Sequence, residues 1–231
     1  MRRVYVDTSV LFPFSVMDLV LALAEDSVHH VLWTDELLDE WEDVIVREHQ
    51  RSADSAASVT AAIREFFDDS RIDPALYRGR IDRMPGPDPD DHIHSAAAIA
   101  AGADVLITWD KSGFPAEELA ELGLRVMDPD SYFVELLDDL GDHVLVTIEQ
   151  LAQSKTRPPL SAEDFLDGLN GAGLTRFTKL ADGSLLKVGD TPGKDVYTFT
   201  ARTDITNVTA LRLEALAHES GQGLGEQDDR T

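Results

Sequence analysis

Four acids in this chain, Asp7, Glu40, Asp91 and Asp110, stand where they could do chemistry together. Asp7 closes the run Arg3-Val4-Tyr5-Val6 and is followed by Thr8-Ser9, so it reads as a carboxylate at the end of a short buried strand. In open α/β sheets ligands bind beyond the carboxyl ends of the strands. A carboxylate there is either bound to something cationic or badly desolvated. We read Asp7 as the first ligand of a divalent-metal site, to which the chain brings three more carboxylates. Glu40 lies in Leu37-Leu38-Asp39-Glu40-Trp41-Glu42-Asp43, Asp91 follows the rigid stretch Pro85-Gly86-Pro87-Asp88-Pro89, and Asp110 follows a second buried run, Val105-Leu106-Ile107-Thr108. Mg²⁺ and Mn²⁺ take oxygen ligands, and several carboxylates plus waters suit them. A metal held in this way orients a water, lowers its pKa and stabilises charge on a phosphoryl oxygen. Four clustered acids without a cation would repel one another.

Each acid also has a plainer reading. Asp7 can cap the turn after it. Glu40 can belong to a solvated helix face, and Glu36, one helical turn earlier, competes with it as the ligand. One of Asp88, Asp90 and Asp91 is explained by the need to cap a helix, and Asp110 can be a turn aspartate. The order of the four along an alternating chain carries more than any one of them. His92 and His94 flank the acids; histidines on a helix face are more often bystanders than ligands.

The elements that must position these residues follow from patterning. Apolar residues recur at helical spacing over 14–26, and 29–33 reads as a second strand. Thr34 is a good N-cap for a helix to about 48, with Asp35 and Glu36 in its first turn. Residues 56–67 form another amphipathic helix, and Pro74 starts a short one. An alanine-rich helix over 95–101 ends at Gly102, and 105–108 is a buried strand. A helix over 117–122, an edge strand over 125–127 and a helix over 131–140 complete the series. Strands alternating with helices predict an α/β fold with a parallel sheet covered on both faces.

Beyond this the pattern changes. A helix over 143–154, the stiff basic linker Lys155-Thr156-Arg157-Pro158-Pro159, a short helix from Ser161 to Leu169 and a last helical piece over 174–180 make a small extension. Residues 184–188 and 196–201 read as a hairpin, 208–218 as a helix, and the end from Ser220 as disordered. The expected organisation is therefore an α/β domain over 1–142, a helical extension over 143–182 and a tail of unknown role over 183–231.

Composition narrows the function classes. With no cysteine, disulfides and thiolate zinc sites are excluded. Asp7 interrupts the only signal-like apolar start, and the run over 10–24 contains Pro13 and Asp18, so a cytoplasmic protein without a membrane span is the expectation. The net charge is −24, and 32 of the 44 acids fall in residues 1–154. Residues 155–180 are the one region that is not acidic; Lys155, Arg157, Arg176 and Lys179 there are read as a phosphate-contacting surface, or as part of a helical clasp over an apolar patch.

Val4-Tyr5-Val6-Asp7-Thr8-Ser9, Leu38-Asp39-Glu40, Asp88-Pro89-Asp90-Asp91-His92 and the run from Ala103 to Asp110 together resemble the successive motifs of the PIN domain over roughly residues 3–140. Within that family the chain is similar to the VapC-type ribonuclease toxins of bacterial toxin–antitoxin pairs. Residues 143–180, with Arg157-Pro158-Pro159-Leu160 and Gly173-Leu174, resemble a helical extension of some actinobacterial members. The resemblance implies a Rossmann-like three-layer α/β/α fold with a central parallel sheet, and a Mg²⁺- or Mn²⁺-dependent endoribonuclease. It implies an acidic cluster of Asp7, Glu40, Asp91 and Asp110 supported by the hydroxyls of Thr8, Ser9 and Thr108. RNA is the implied substrate and a cognate antitoxin the implied partner, with a homodimer compatible with the family. The chain departs from the subtype at Asp110, where many relatives have Asn, and at Gly113, where they have Asp. The alternative from another class is a PIN-like interaction module with little or no catalysis. A haloacid-dehalogenase phosphatase is disfavoured because Ser9 stands where its second acid belongs, and no Walker-type loop is present.

Overall fold

Val4, Tyr5, Val6, Val105, Leu106 and Ile107 are at most 1% exposed, as expected of central parallel strands covered on both faces. A computed structural model describes residues 1–48, 50–155, 160–171, 176–179 and 185–188 of the chain. The sheet runs in the order β2-β1-β3-β4, with β1 Arg2–Val6, β2 His29–Leu32, β3 Val105–Ile107 and β4 Arg125–Met127. All three pairings are parallel, and Val4 stands beside Val31 on one side and Val105 on the other. Helices complete a three-layer α/β/α architecture, and the strand order places the ends of β1 and β3 side by side.

A short helix α1, Thr8–Leu11, follows β1 directly, where patterning had shown only an apolar run. The helix α2, Phe14–Glu25, packs on β2. The helix α3, Asp35–Arg47, starts at Thr34, whose Oγ1 accepts from Leu37 N at 3.1 Å. It buries Leu37, Leu38, Trp41 and Ile45 at i, i+1, i+4 and i+8, which leaves the face carrying Glu36 and Glu40 free. The helix α4, Ala53–Phe66, is capped by Ser52, three residues earlier than its apolar pattern began. It lies on α3, with Arg64 paired to Asp39 at 2.6 Å, while Arg71 beyond it pairs with Asp35. A short helix α5, Pro74–Tyr77, and a 3-10 helix, Arg78–Arg83, then pack on α6, Asp91–Ala100. Helix α6 begins four residues earlier than its alanine run. The helix α7, Ala116–Glu121, precedes β4, and α8, Pro129–Leu140, follows it. Arg2 and Arg125 both pair with Glu135 of α8.

The helices α9, Asp142–Ser154, and α10, Ala162–Gly171, pack on α2. Phe165 and Leu169 of α10 are buried. Thr147 Oγ1 donates to Asp26, Ser15 Oγ donates to Gly168 O, and Lys155 Nζ reaches Asp18 at 2.5 Å. Lys155, read either as part of a phosphate-contacting surface or as part of a helical clasp, is thus committed to an acid of α2.

The helical piece expected over 174–180 is a strand instead. Strand β5, Arg176–Lys179, pairs antiparallel with β6, Leu185–Val188. Phe177 and Thr178 favour extended backbone, and a partner strand outweighs the weak helical spacing that suggested otherwise. The partner expected for 184–188, residues 196–201, lies outside the described residues, as do the linker over 156–159, the helix over 208–218 and the terminal stretch from 220. No helix among the described residues is long and apolar enough to cross a membrane.

Candidate active site

The end of β1 is held in the sheet by one more bond, from Asp7 N to Ile107 O at 2.9 Å, and the end of β3 likewise by Thr108 N to Met127 O at 3.0 Å. These bonds set the Asp7 and Thr108 side chains next to each other. Asp7 is only 6% exposed. Its Oδ2 accepts from Thr108 Oγ1 at 2.9 Å, Ser9 Oγ at 2.5 Å and Ser9 N at 3.3 Å. That last bond makes Asp7 the N-cap of α1 as well. No described residue donates to Oδ1, so the buried carboxylate is oriented through one oxygen while the other stays uncommitted.

An open cleft begins at Asp7 and is lined by Thr8, Ser9, Phe12, Glu40, Val44, Glu48, Asp91 and Asp110. A second basin shares Asp91 and Asp110 and adds Pro87, Asp88, Pro89, Ser112 and Gly113. All four acids singled out in the sequence therefore line one cleft. Glu48, two turns after Glu40 at the C-cap of α3, is a further acid there that sequence reading did not name.

Glu36 and Glu40 follow each other by one turn on α3, and their surroundings separate them. Glu36 Oε2 accepts from Tyr77 Oη at 2.6 Å, away from the cleft. Glu40 is half-exposed in the cleft, its Oε2 2.9 Å from His94 Nε2. The bond from His94 holds the Glu40 carboxyl below its usual range, against the opposing effect of burial. His94 is buried. Burial works to lower its pKa, but the bond and charge of Glu40 together with the charges of Asp7 and Asp91 raise it on balance. On its other side His94 Nδ1 lies 2.8 Å from Tyr5 Oη, which lies 3.2 Å from Thr34 Oγ1. A line of polar groups thus runs from the N-cap of α3 through β1 and α6 to Glu40. His94, set aside above as a bystander on its helix, is the group that fixes Glu40. Its position three residues after Asp91, on the same side of α6, is the sequence signal that could have pointed to it.

Asp91 opens α6, where the helix dipole favours an anion. Its pKa is nevertheless raised to about 6, by burial first and then by the charges of Asp7, Asp88 and Asp110, with only His94 opposing. Asp110 is both a turn aspartate and a cleft residue. Its Oδ1 accepts from Ser112 Oγ at 2.6 Å, Ser112 N at 2.9 Å and Gly113 N at 3.0 Å. The bonds from Ser112 and Gly113 hold its carboxyl below the ordinary range. A Cβ at residue 113 would overlap Asp91 Oδ2 and stand 3.0 Å from Asp110 Oδ2. The missing side chain of Gly113 is what lets these two carboxylates approach.

The hydroxyls have distinct places. Ser9 and Thr108 donate to Asp7, and Thr108 Oγ1 also accepts from Asp110 N at 2.9 Å. Thr8 Oγ1 is buried without a partner in bonding geometry, although close enough to Glu40 to help lower its pKa.

The donor set fits a hard divalent cation: it is all oxygen, largely anionic, and includes an uncommitted carboxylate oxygen on Asp7. Among the described residues no three acids or histidines are drawn together at the spacing of direct metal ligands.

In comparison with known proteins, residues 3–112 match the PIN domain family and residues 129–182 match the VapC50 C-terminal domain. The second match opens at α8. No curated protein matches the chain.

Proposed function

The chain is a PIN-domain protein with a VapC50-type C-terminal domain, and from that premise we propose that it is a metal-dependent endoribonuclease, the toxin of a toxin–antitoxin pair. Proteins of this family are in general nucleases. The observation that carries the reading here is Asp7: three donors fix one oxygen of a buried carboxylate and leave the other uncommitted in a cleft shared with Glu40, Asp91 and Asp110.

Asp7, Glu40, Asp91 and Asp110 would hold Mg²⁺ or Mn²⁺, directly or through waters. When bound, the ion lowers the pKa of a water and neutralises charge on a phosphodiester. Asp7 supplies a rigid anchor, because rotating it would break its bonds to Ser9 and Thr108. Glu40 is restrained by His94 and kept ionised at neutral pH. A bound cation would offset the repulsion and burial that raise the Asp91 pKa and would hold its carboxylate ionised. Ser112 and Gly113 orient Asp110 and offset part of its charge. Phe12 and Val44 add apolar lining to the cleft, on which a nucleobase can lie.

The test is cleavage of single-stranded RNA by the purified chain with Mg²⁺ or Mn²⁺ and with chelator. Metal-dependent cleavage is expected; RNA binding without cleavage would reduce the protein to an interaction module. The toxin role is tested by expression in bacteria. Growth should slow, and a small protein encoded beside this one should restore it. Harmless expression of an active nuclease would point to RNA processing instead.

A further inference from the structure

A chain with 44 acidic and 20 basic residues must meet a polyanion with cations that its own acids have not already claimed. Among the described residues, ion pairs occupy Arg2, Arg64, Arg71, Lys111, Arg125 and Lys155. Arg47 and Arg78 face Glu48 and Glu36. Arg3 donates to Ala101 O, and Arg51 lies over the ring of Phe14. Within residues 1–155, Arg80 and Arg83 are what remains: both are exposed, and no described acid or ring engages either side chain.

Their placement is regular. Both lie on the 3-10 helix Arg78–Arg83. Three residues per turn puts i and i+3 on one face, so the two guanidinium-bearing side chains rise from the same row, about 6 Å apart along the axis. That is close to one step of a nucleic-acid backbone. Ile81 and its C-cap Met84 form a second row and pack against the core, which fixes which way the helix faces. The chain then passes into Pro87-Asp88-Pro89, the wall of the second basin. His92 Nε2, 3.1 Å from Gly86 O, ties that loop to α6. The two arginines therefore sit on the segment that leads into the second basin, on a helix packed against α6.

We infer that Arg80 and Arg83 bind two successive phosphates of the RNA strand beside the second basin, and so hold the strand in register with the acids. This rests on the ribonuclease reading above. Guanidinium suits the role because it stays charged and matches phosphate geometry with paired donors. Contacts of this kind position a strand without reading its sequence.

The experiment measures binding of a fluorescein-labelled single-stranded RNA of mixed sequence by anisotropy, over a range of KCl concentrations. Asp7→Asn serves as the parent so that the probe survives. Adding Arg80→Gln/Arg83→Gln should weaken binding and flatten the log–log salt dependence by about 1.4, from about 0.7 per phosphate on a single strand. Arg80→Lys/Arg83→Lys should keep most of that slope. In the otherwise wild-type protein, the Gln pair should raise KM with little change in kcat and leave the melting temperature unchanged. An unchanged affinity and slope in the Gln pair overturns the inference. If the parent binds no RNA and the wild type cleaves none, the ribonuclease reading falls and this inference with it. Cleavage by the wild type together with an unchanged slope removes this inference alone.

Discussion

Replacing Asp91 by Asn should stabilise the metal-free protein, and only above a definite pH. The Asp91 carboxyl is raised in the folded state from 3.8 to about 6 by burial and by the charges of Asp7, Asp88 and Asp110. A raised folded pKa means that the folded state binds this proton more tightly than the unfolded chain. The stability it confers is fully present below the unfolded value near 4 and is lost as pH rises through about 6. Each unit is worth about 1.4 kcal/mol, so a shift of roughly two units sets a ceiling near 3 kcal/mol. Asp91 is only partly buried and water screens its neighbours, so we take about 1 kcal/mol as the working figure. Asn fills the same space without charge at any pH. In EDTA at about pH 8, Asp91→Asn should therefore unfold about 1 kcal/mol later than wild type, a gain of roughly 2–4 °C in Tm for a chain of this size. By about pH 4 the gain should vanish. Urea or thermal unfolding followed by circular dichroism, at a series of pH values in EDTA, measures it. A difference that does not change with pH, or a variant less stable than wild type at high pH, would refute charge repulsion as the state of the empty cluster.

Further expectations follow from the same geometry. Mn²⁺ or Mg²⁺ should raise the Tm of wild type, because a ligand that binds only the native state stabilises it; the rise should shrink in Asp91→Ala, and equal rises would move the ion elsewhere. Gly113→Ala should keep the fold but push Asp91 and Asp110 apart, since the new Cβ would overlap Asp91 Oδ2. We expect cleavage to fall at least about tenfold, a cost of about 1.4 kcal/mol in transition-state stabilisation, with a smaller metal-induced Tm rise. Full activity in that variant would mean that the two carboxylates need not approach.

The sheet was legible because its central strands are continuous apolar runs, and Asp7 stood out because it ends one of them. Thr34 and Gly102 marked helix ends through local chemistry that needs no tertiary partner. Other features depended on partners that no local pattern names. Glu36 and Glu40 share one helix face; only Tyr77 and His94, 41 and 54 residues further along, separate them. Lys155 read as free charge because Asp18, its partner, lies 137 residues away. Asp110 offered a choice between turn and cleft, yet it serves the turn with Oδ1 and faces the cleft beside Asp91. Strand β5 was missed because a four-residue strand carries too little periodicity to outweigh the helical spacing around it.

The central claim is that Asp7 anchors a catalytic metal cluster, and cleavage of single-stranded RNA by wild type and Asp7→Asn, side by side with Mn²⁺ and with EDTA, tests it most directly. Wild type should cleave with Mn²⁺ and stop in EDTA. Asp7→Asn should be inactive in both, with a Tm in EDTA no lower than that of wild type. Cleavage by Asp7→Asn at the wild-type rate in Mn²⁺ would contradict the assignment.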